Sequence, residues 1–144
     1  MAKQLHIFID NTPGRVKYVT ENLLNVGVDI RAFAIQDRGD YGLMKLIVSE
    51  PDKAYLALAD LGSACALKDV LAISVPDKCG NLHKLMTVLA DNGINIIDAH
   101  GFVLQPNQQG ICILEVESSA VSAAAKIVTD AGFNILDDEE IYNL

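Results

Sequence analysis

Near the start of the chain aliphatic residues recur at every second position, and the apolar pattern then changes to a helical period. Leu5, Ile7 and Ile9 are spaced two apart, which predicts a strand with one buried face. Across residues 16–26 the apolar positions recur every three or four residues, which predicts a helix with one buried side. The same succession of patterns starts again at Leu71. The sequence therefore predicts two copies of one structural unit.

A constant offset relates the two copies. Residues of the same type recur 66 positions apart in a loop segment, at a helix end and at a strand start. A fixed period that spans different kinds of segment indicates an internal duplication. The matching pairs are Gly14 and Gly80, Gly27 and Gly93, and Ile30 and Ile96. The repeat predicts two domains, residues 1–68 and 69–144.

The rest of each copy follows one order of elements. After the first strand and helix come two strands joined by a polar turn, then a second helix and a last short strand. The predicted segments are 30–36, 43–48, 50–61 and 64–67 in the first copy, and 96–104, 111–116, 118–131 and 133–136 in the second. The fold class is therefore α+β, with two ferredoxin-like βαββαβ units, each a four-stranded antiparallel sheet with two helices on one face.

Two details qualify this pattern. The second hairpin is expected to be two residues longer than the first, because the glycines that follow the two turns, Gly42 and Gly110, are 68 residues apart. The acidic residues 137–140 are expected to form a solvent-exposed tail.

Composition and charge exclude several classes of function. The formal net charge of −8 argues against binding to nucleic acid, which needs clustered Lys and Arg. No apolar run approaches the roughly 20 residues that span a bilayer, so no membrane association is expected. Three cysteines without framework spacing indicate a reducing compartment, and we expect a cytoplasmic protein.

The loop between the first strand and first helix of each copy is the best candidate for chemistry. Amides at a helix start have no partner within the helix, so they can bind a carboxylate. Gly14 and Gly80 would let a ligand approach the backbone closely. Asn11 or Asp77 offers an oxygen that accepts a hydrogen bond from an ammonium group. These loops would suit a free amino acid; the alternative is that they only shape a turn and cap a helix.

Here the sequence resembles the ACT domain family. Asn11-Thr12-Pro13-Gly14 and Asp77-Lys78-Cys79-Gly80 resemble its Asp-x-Pro-Gly loop, and Gly93-Ile94-Asn95-Ile96 matches its Gly-Ile-Asn-Ile turn. Each loop departs from the pattern once, since Asn11 replaces the acid and Cys79 replaces the proline. The resemblance covers the whole chain as a tandem ACT protein with no fused catalytic domain.

The resemblance implies a function and a set of site residues. It implies an allosteric, non-enzymatic regulator that binds a free amino acid between ACT units, acts on a metabolic enzyme or pathway, and forms a homo-oligomer such as a dimer, with no cofactor. The implied loop residues are Asn11, Thr12, Pro13, Gly14, Arg15, Asp77, Lys78, Cys79, Gly80, Asn81 and Leu82. The implied residues of the facing turns and strand starts are Asp29, Ile30, Arg31, Asn95, Ile96 and Asp98.

Other readings of the same residues stay open. Cys79 and His83 are four apart and would share a helix face as metal ligands, but no second pair at zinc spacing exists, so no metal site is predicted. Arg15 and Arg31 would pair either with a ligand carboxylate or in ordinary surface salt bridges.

Two other functions compete with the sensor. A small enzyme on a ferredoxin-like scaffold is one, with Arg15 after Gly14 as its nearest catalytic feature. An adaptor subunit of a metabolic enzyme is the other. It is suggested by apolar residues on both faces of the predicted sheet, such as Phe8, Phe33 and Ile47.

Overall fold

The computed structural model describes residues 1–10 and 12–144. These residues form two compact units. The N-terminal unit comprises Lys3–Lys68 and Tyr142–Leu144, and the C-terminal unit comprises Asp69–Ile141 and Met1–Ala2. The domain boundaries expected from the sequence, 1–68 and 69–144, stay a prediction.

The N-terminal unit has the predicted order of elements. They are β1 (Ala2–Ile9), α1 (Arg15–Asn25), β2 (Ile30–Asp37), β3 (Gly42–Val48), α2 (Pro51–Asp60) and the start of β4 (Cys65–Pro76). The strands β1 and β2 both pair antiparallel with β3, and the order across the sheet is β2-β3-β1-β4. Where β4 approaches, the Phe8 amide donates to the Ala64 carbonyl at 2.9 Å.

The C-terminal unit repeats this order. Its elements are the end of β4, α3 (Asn81–Asp91), β5 (Ile96–Gln105), β6 (Gln109–Val116), a 3-10 turn (Ser118–Ala120), α4 (Val121–Asp130), β7 (Asn134–Leu136) and α5 (Asp138–Tyr142). Its strands are all paired antiparallel, in the order β7-β4-β6-β5. Both units therefore have the predicted ferredoxin-like βαββαβ fold, which confirms the α+β fold class.

One strand differs from the prediction. The sequence suggested separate strands over residues 64–67 and 71–75, whereas β4 runs without interruption from Cys65 to Pro76. Neither position 68 nor position 69 is a glycine or a proline, so nothing at Lys68 and Asp69 interrupts the extended backbone. One strand thus supplies the last strand of the first repeat and the first strand of the second.

Each unit has its own hydrophobic core between its helices and its sheet. Leu23 of α1 and Leu89 of α3 are fully buried, and they are equivalent positions of the repeat. The helices bury one face each, as the helical spacing predicted. Within the described part of the chain, no helix is both long enough and apolar enough to cross a membrane.

The two hairpins have matching register. Ile30 lies opposite Val48 in the first unit, and Ile96 lies opposite Val116 in the second, with an irregularity directly after each pair. Because the first strands are offset by 66 residues and the second strands by 68, the second hairpin is two residues longer, as predicted.

The acidic residues 137–140 near the end of the chain are mostly exposed, as predicted, with only Asp138 half-buried, but they do not form an irregular tail. The segment forms the short helix α5, with Ile141 buried. The Glu140 amide donates to Asp137 Oδ1 at 2.8 Å, and the Asp137 amide donates to Glu140 Oε2 at 2.9 Å. This reciprocal pair is a capping box, which satisfies two amides at the helix start and explains why the acidic residues adopt helical structure.

Candidate ligand-binding site

The loop between β4 and α3 reverses the chain at a glycine. Gly80 has a φ of +94° and is the N-cap residue of α3, and its carbonyl accepts the first helical hydrogen bond, from the Lys84 amide at 2.9 Å. The Asn81 amide donates to the Lys78 carbonyl at 3.2 Å and closes the turn. Leu82 and His83 lie in the first turn of α3, so their amides have no hydrogen-bond acceptor within the helix and point out of its start. They therefore form a site of positive potential.

Asp77 connects this loop to the β5–β6 turn. Its Oδ2 accepts a hydrogen bond from the Asn107 amide at 2.7 Å, and its own amide donates to the Gln108 carbonyl at 3.1 Å. Asn107 has a φ of +62°, a left-handed conformation that Asn tolerates better than most residues. One oxygen of Asp77 is thus committed to the turn, and Oδ1 is the oxygen that remains for a ligand.

A cavity of about 430 Å³ opens beside this loop, within the C-terminal unit. It lies between the first turns of α3 and the β5–β6 hairpin, and most of its walls are apolar. The lining residues are Val75, Pro76, Asp77, Lys78, Leu82, Met86, Ala99, His100, Gly101, Phe102, Val103, Gly110, Ile111 and Cys112. Lys78 has no ion pair within the described residues, so its charge is available to a ligand.

Two small residues of β5 create the space for this cavity. Ala99 lies opposite Leu114 and Gly101 lies opposite Cys112, and both partners belong to the core beneath the helices. Directly opposed residues share one face of a sheet, so Ala99 and Gly101 face the helices. A Cβ on Gly101 would stand 2.9 Å from the Ile111 carbonyl oxygen, so the close backbone requires glycine there.

The N-terminal unit carries large residues at the same two positions. Phe33 lies opposite Leu46 and Ile35 lies opposite Met44, in the register that corresponds to Ala99 and Gly101. The cavity described in this unit, of about 350 Å³, has different walls: Phe8, Ile9, Asp10, Arg15, Tyr18, Val19, Tyr41, Leu61, Gly62, Ser63 and Ala64. The two units thus share a fold but differ in the shape of their cavities.

The positively charged group in the N-terminal cavity, the Arg15 guanidinium, already has partners. The Arg15 guanidinium lies 3.3 Å from Asp10 Oδ2 and 5.7 Å from the centre of the Tyr18 ring. Binding a ligand carboxylate through Arg15 would therefore compete with an existing ion pair. Arg31 likewise lies 3.2 Å from Asp29 Oδ2, so both arginines form the surface salt bridges that the sequence left open as their alternative role.

The residues implied by the family resemblance fall into three groups. Asp77, Lys78 and Leu82 line the C-terminal cavity, with Cys79, Gly80 and Asn81 in the adjoining loop, and the Asn81 amide side chain donates to the Pro76 carbonyl at 3.0 Å. Arg15 lines the N-terminal cavity, beside the exposed residues Thr12, Pro13 and Gly14. Asp29, Ile30, Arg31, Asn95, Ile96 and Asp98 lie at the starts of β2 and β5 and line neither cavity. Asn11 lies outside the described residues.

Sequence reasoning missed the residues that shape the C-terminal cavity. The informative signal was a difference between the copies, because Ala99 and Gly101 stand where the first copy has Phe33 and Ile35. Of the three apolar residues that suggested an adaptor surface, Phe8 and Phe33 are exposed, whereas Ile47 is buried.

Cys112 lies in the cavity wall with only 6% of its surface exposed, and burial raises the pKa of its thiol to about 11 from an ordinary value of 9.0. The unfolded chain ionises this thiol at lower pH than the folded chain does. Its contribution to stability is therefore fully present below pH 9 and is lost as the pH rises toward 11, by about 3 kcal/mol at most. We expect the free energy of unfolding of the unsubstituted chain, measured by urea denaturation, to fall as the pH is raised from 9 toward 11.

The matched control is Cys112→Val, which keeps an apolar side chain and removes the ionisable group. All other ionisable groups are the same in both proteins, so the difference between the two pH profiles isolates Cys112. Parallel profiles between pH 8.5 and 11 would contradict the expected effect.

Comparison with known proteins agrees with this architecture. The family model described as an ACT domain pair matches residues 1–144. The structure of protein BT0572 from Bacteroides thetaiotaomicron has a TM-score of 0.90 and 31% sequence identity, over 99% of this chain and 96% of that one. No curated protein matches the sequence.

Two further solved structures share the fold at lower identity. The ligand-free regulatory subunit of aspartate kinase from Thermus thermophilus has a TM-score of 0.64 and 19% identity, over 91% of this chain and 93% of that one. The corresponding subunit from Thermus flavus has a TM-score of 0.59 and 18% identity, over 90% and 91%. These two structures agree with the fold, while the family model over the full sequence and the similarity to protein BT0572 confirm the resemblance seen in the loops and turns: the chain belongs to the family of ACT domain pairs.

Proposed function

We propose that this ACT domain pair is a regulatory protein without catalytic activity of its own, which binds a free amino acid in the C-terminal cavity. The observation that carries the proposal is the arrangement at one end of that cavity. Lys78, which has no ion pair within the described chain, and the start of α3 offer positive charge there, beside the carboxylate of Asp77. The rest of the cavity wall is mostly apolar.

This end of the cavity matches the two charged groups of an amino acid. The ligand carboxylate would accept hydrogen bonds from the Leu82 and His83 amides and would lie near the Lys78 ammonium. The ligand ammonium would donate to Asp77 Oδ1, the oxygen that the β5–β6 turn leaves available. Gly80 has open space where a side chain would start, so the ligand can reach the helix start.

Regulation would follow from the preference of the ligand for one conformation. A ligand at a hundredfold excess over its dissociation constant stabilises the binding state by about 2.7 kcal/mol, which is enough to shift an equilibrium between two conformations. We place this role in the cytoplasm, with the chain acting as a homo-oligomer on a metabolic enzyme.

A thermal-shift screen of the common amino acids tests the proposal. At a hundredfold excess of the correct ligand, we expect the melting temperature to rise by roughly 5 °C or more. The amide of the same amino acid lacks the carboxylate, and its N-acetyl derivative lacks the ammonium group, so both should lose most of the stabilisation.

The control for the screen is a pair of lysine variants. Lys78→Met should weaken the stabilisation, whereas Lys17→Met, which removes an exposed lysine from α1, should leave it unchanged. If no amino acid raises the melting temperature of the original chain, the proposed function is wrong.

A further inference from the structure

We infer that the C-terminal cavity selects amino acids with a large apolar side chain, at one site in each chain. This inference rests on the proposed function and specifies its class of ligand.

The part of the cavity away from the loop has apolar walls on both sides. Leu82 and Met86 of α3 form one wall, and Ala99, Gly101 and Val103 form the floor on β5. Val103 lies opposite Gly110, in the same alternation as the other two, so it also faces the helices. A ligand anchored at the loop would thus extend its side chain between α3 and β5.

The charged residues of the cavity are confined to its loop end. Asp77 and Lys78 both belong to the β4–α3 loop. His100 lies opposite Ile113 and between the floor residues Ala99 and Gly101. Successive side chains of a strand alternate between faces, so the His100 side chain is on the opposite face of β5. A charged ligand side chain would lose its hydration against the apolar walls without gaining a partner, which disfavours acidic and basic amino acids.

The volume of the cavity also favours a large side chain. About 430 Å³ lies within the range of small-molecule sites, and a ligand as small as glycine or alanine would leave the apolar walls uncovered. Burying a side chain of the size of leucine is expected to improve affinity over alanine by about tenfold or more.

The N-terminal unit supports the assignment to one site only. Its residues equivalent to Ala99, Gly101 and Val103 are Phe33, Ile35 and Asp37. Two of these are large, and the third adds a negative charge where the C-terminal unit has an apolar floor. The space that would receive an apolar side chain is therefore a property of the C-terminal unit.

Calorimetric titration of the full chain tests the inference with three groups of amino acids. Leucine, isoleucine, methionine and phenylalanine form the apolar group, glycine and alanine the small group, and aspartate and lysine the charged group. We expect at least one amino acid of the apolar group to bind about tenfold or more tighter than alanine. We expect both amino acids of the charged group to bind more weakly than alanine. Equal affinities, or tighter binding of a charged amino acid, would overturn the inference and leave the proposed function intact. If none of the amino acids binds, both fail.

Two variants that copy residues of the N-terminal unit locate the binding. Ala99→Phe places the bulk of Phe33 in the cavity, and Val103→Asp introduces the charge of Asp37 at an exposed position. Each variant should lower the affinity for the best apolar amino acid by about tenfold or more, whereas the control Phe33→Ala should not change it. Circular dichroism identifies a variant that fails to fold, in which case the other decides. A folded variant of either kind that binds as tightly as the original chain would overturn the inference.

Discussion

Replacing Gly80 with valine is expected to weaken amino-acid binding strongly, whereas the same replacement at Gly14 leaves the affinity unchanged. A Cβ at Gly80 meets no heavy atom within 4 Å, so the valine side chain would project into the open space that leads to the amides of Leu82 and His83. Losing two hydrogen bonds to a charged carboxylate, at about 1.5 kcal/mol or more each, lowers the affinity by roughly a hundredfold or more. Calorimetric titration with the best ligand of the thermal-shift screen measures this loss.

Gly14→Val is a close control because the two glycines have nearly the same conformation. Their φ angles are +90° and +94°, and neither Cβ position lies within 4 Å of a heavy atom elsewhere in the described residues. Both variants therefore have the same strain, about 1–2 kcal/mol for an L-residue in the left-handed region. The loss of stability in urea should be similar, and only the loss of binding should differ. Equal losses of binding from both variants would refute the asymmetry between the two units.

The fold was predictable because its main signals are local and occur twice. Alternating residues such as Leu5, Ile7 and Ile9 define a strand without reference to the rest of the chain. The repeat then adds an independent check, since a pattern that is ambiguous in one copy is read again 66 residues later. This is why the order of elements, the antiparallel pairing and even the longer second hairpin agree with the sequence.

The errors also have physical causes. The repeat predicts a boundary near Lys68 and Asp69, but neither residue is a glycine or a proline that would end a strand, so β4 continues through this point. The net charge of the acidic segment correctly predicts that most of its side chains are exposed, but it does not predict the helix, which follows from the capping-box spacing of Asp137 and Glu140. In both places the backbone conformation follows from the local residues and not from the repeat boundary or the net charge.

The site was predictable only in part. The position of the loop follows from its glycine and from the helix that comes next, which are adjacent in sequence. The cavity depends instead on contacts between residues far apart, such as the hydrogen bond from Asn107 to Asp77, 30 positions away. Its floor depends on register, because only the pairing of β5 with β6 shows that Ala99 and Gly101 face the helices. A single sequence does not specify such pairings residue by residue.

Leu89→Ala is expected to have the largest effect on stability of the substitutions considered, together with Leu23→Ala at the equivalent position. Both leucines are fully buried in the cores of their units, on the helices α3 and α1. Truncation removes buried methyl groups and leaves a cavity, which costs about 2–5 kcal/mol in the free energy of unfolding. Urea denaturation measures the loss, and amide hydrogen exchange assigns it to a unit.

The exchange experiment makes this prediction specific to position. Because each leucine packs in a separate core, Leu89→Ala should speed the exchange of amides in α3 and its sheet, and Leu23→Ala should do so in α1 and its sheet. Leu24→Ala is the matched control, since Leu24 follows Leu23 in α1 but is 75% exposed. It should change the free energy of unfolding by no more than about 0.5 kcal/mol. A loss at Leu24 as large as at Leu23 would mean that α1 buries a different face from the one that its helical period predicts.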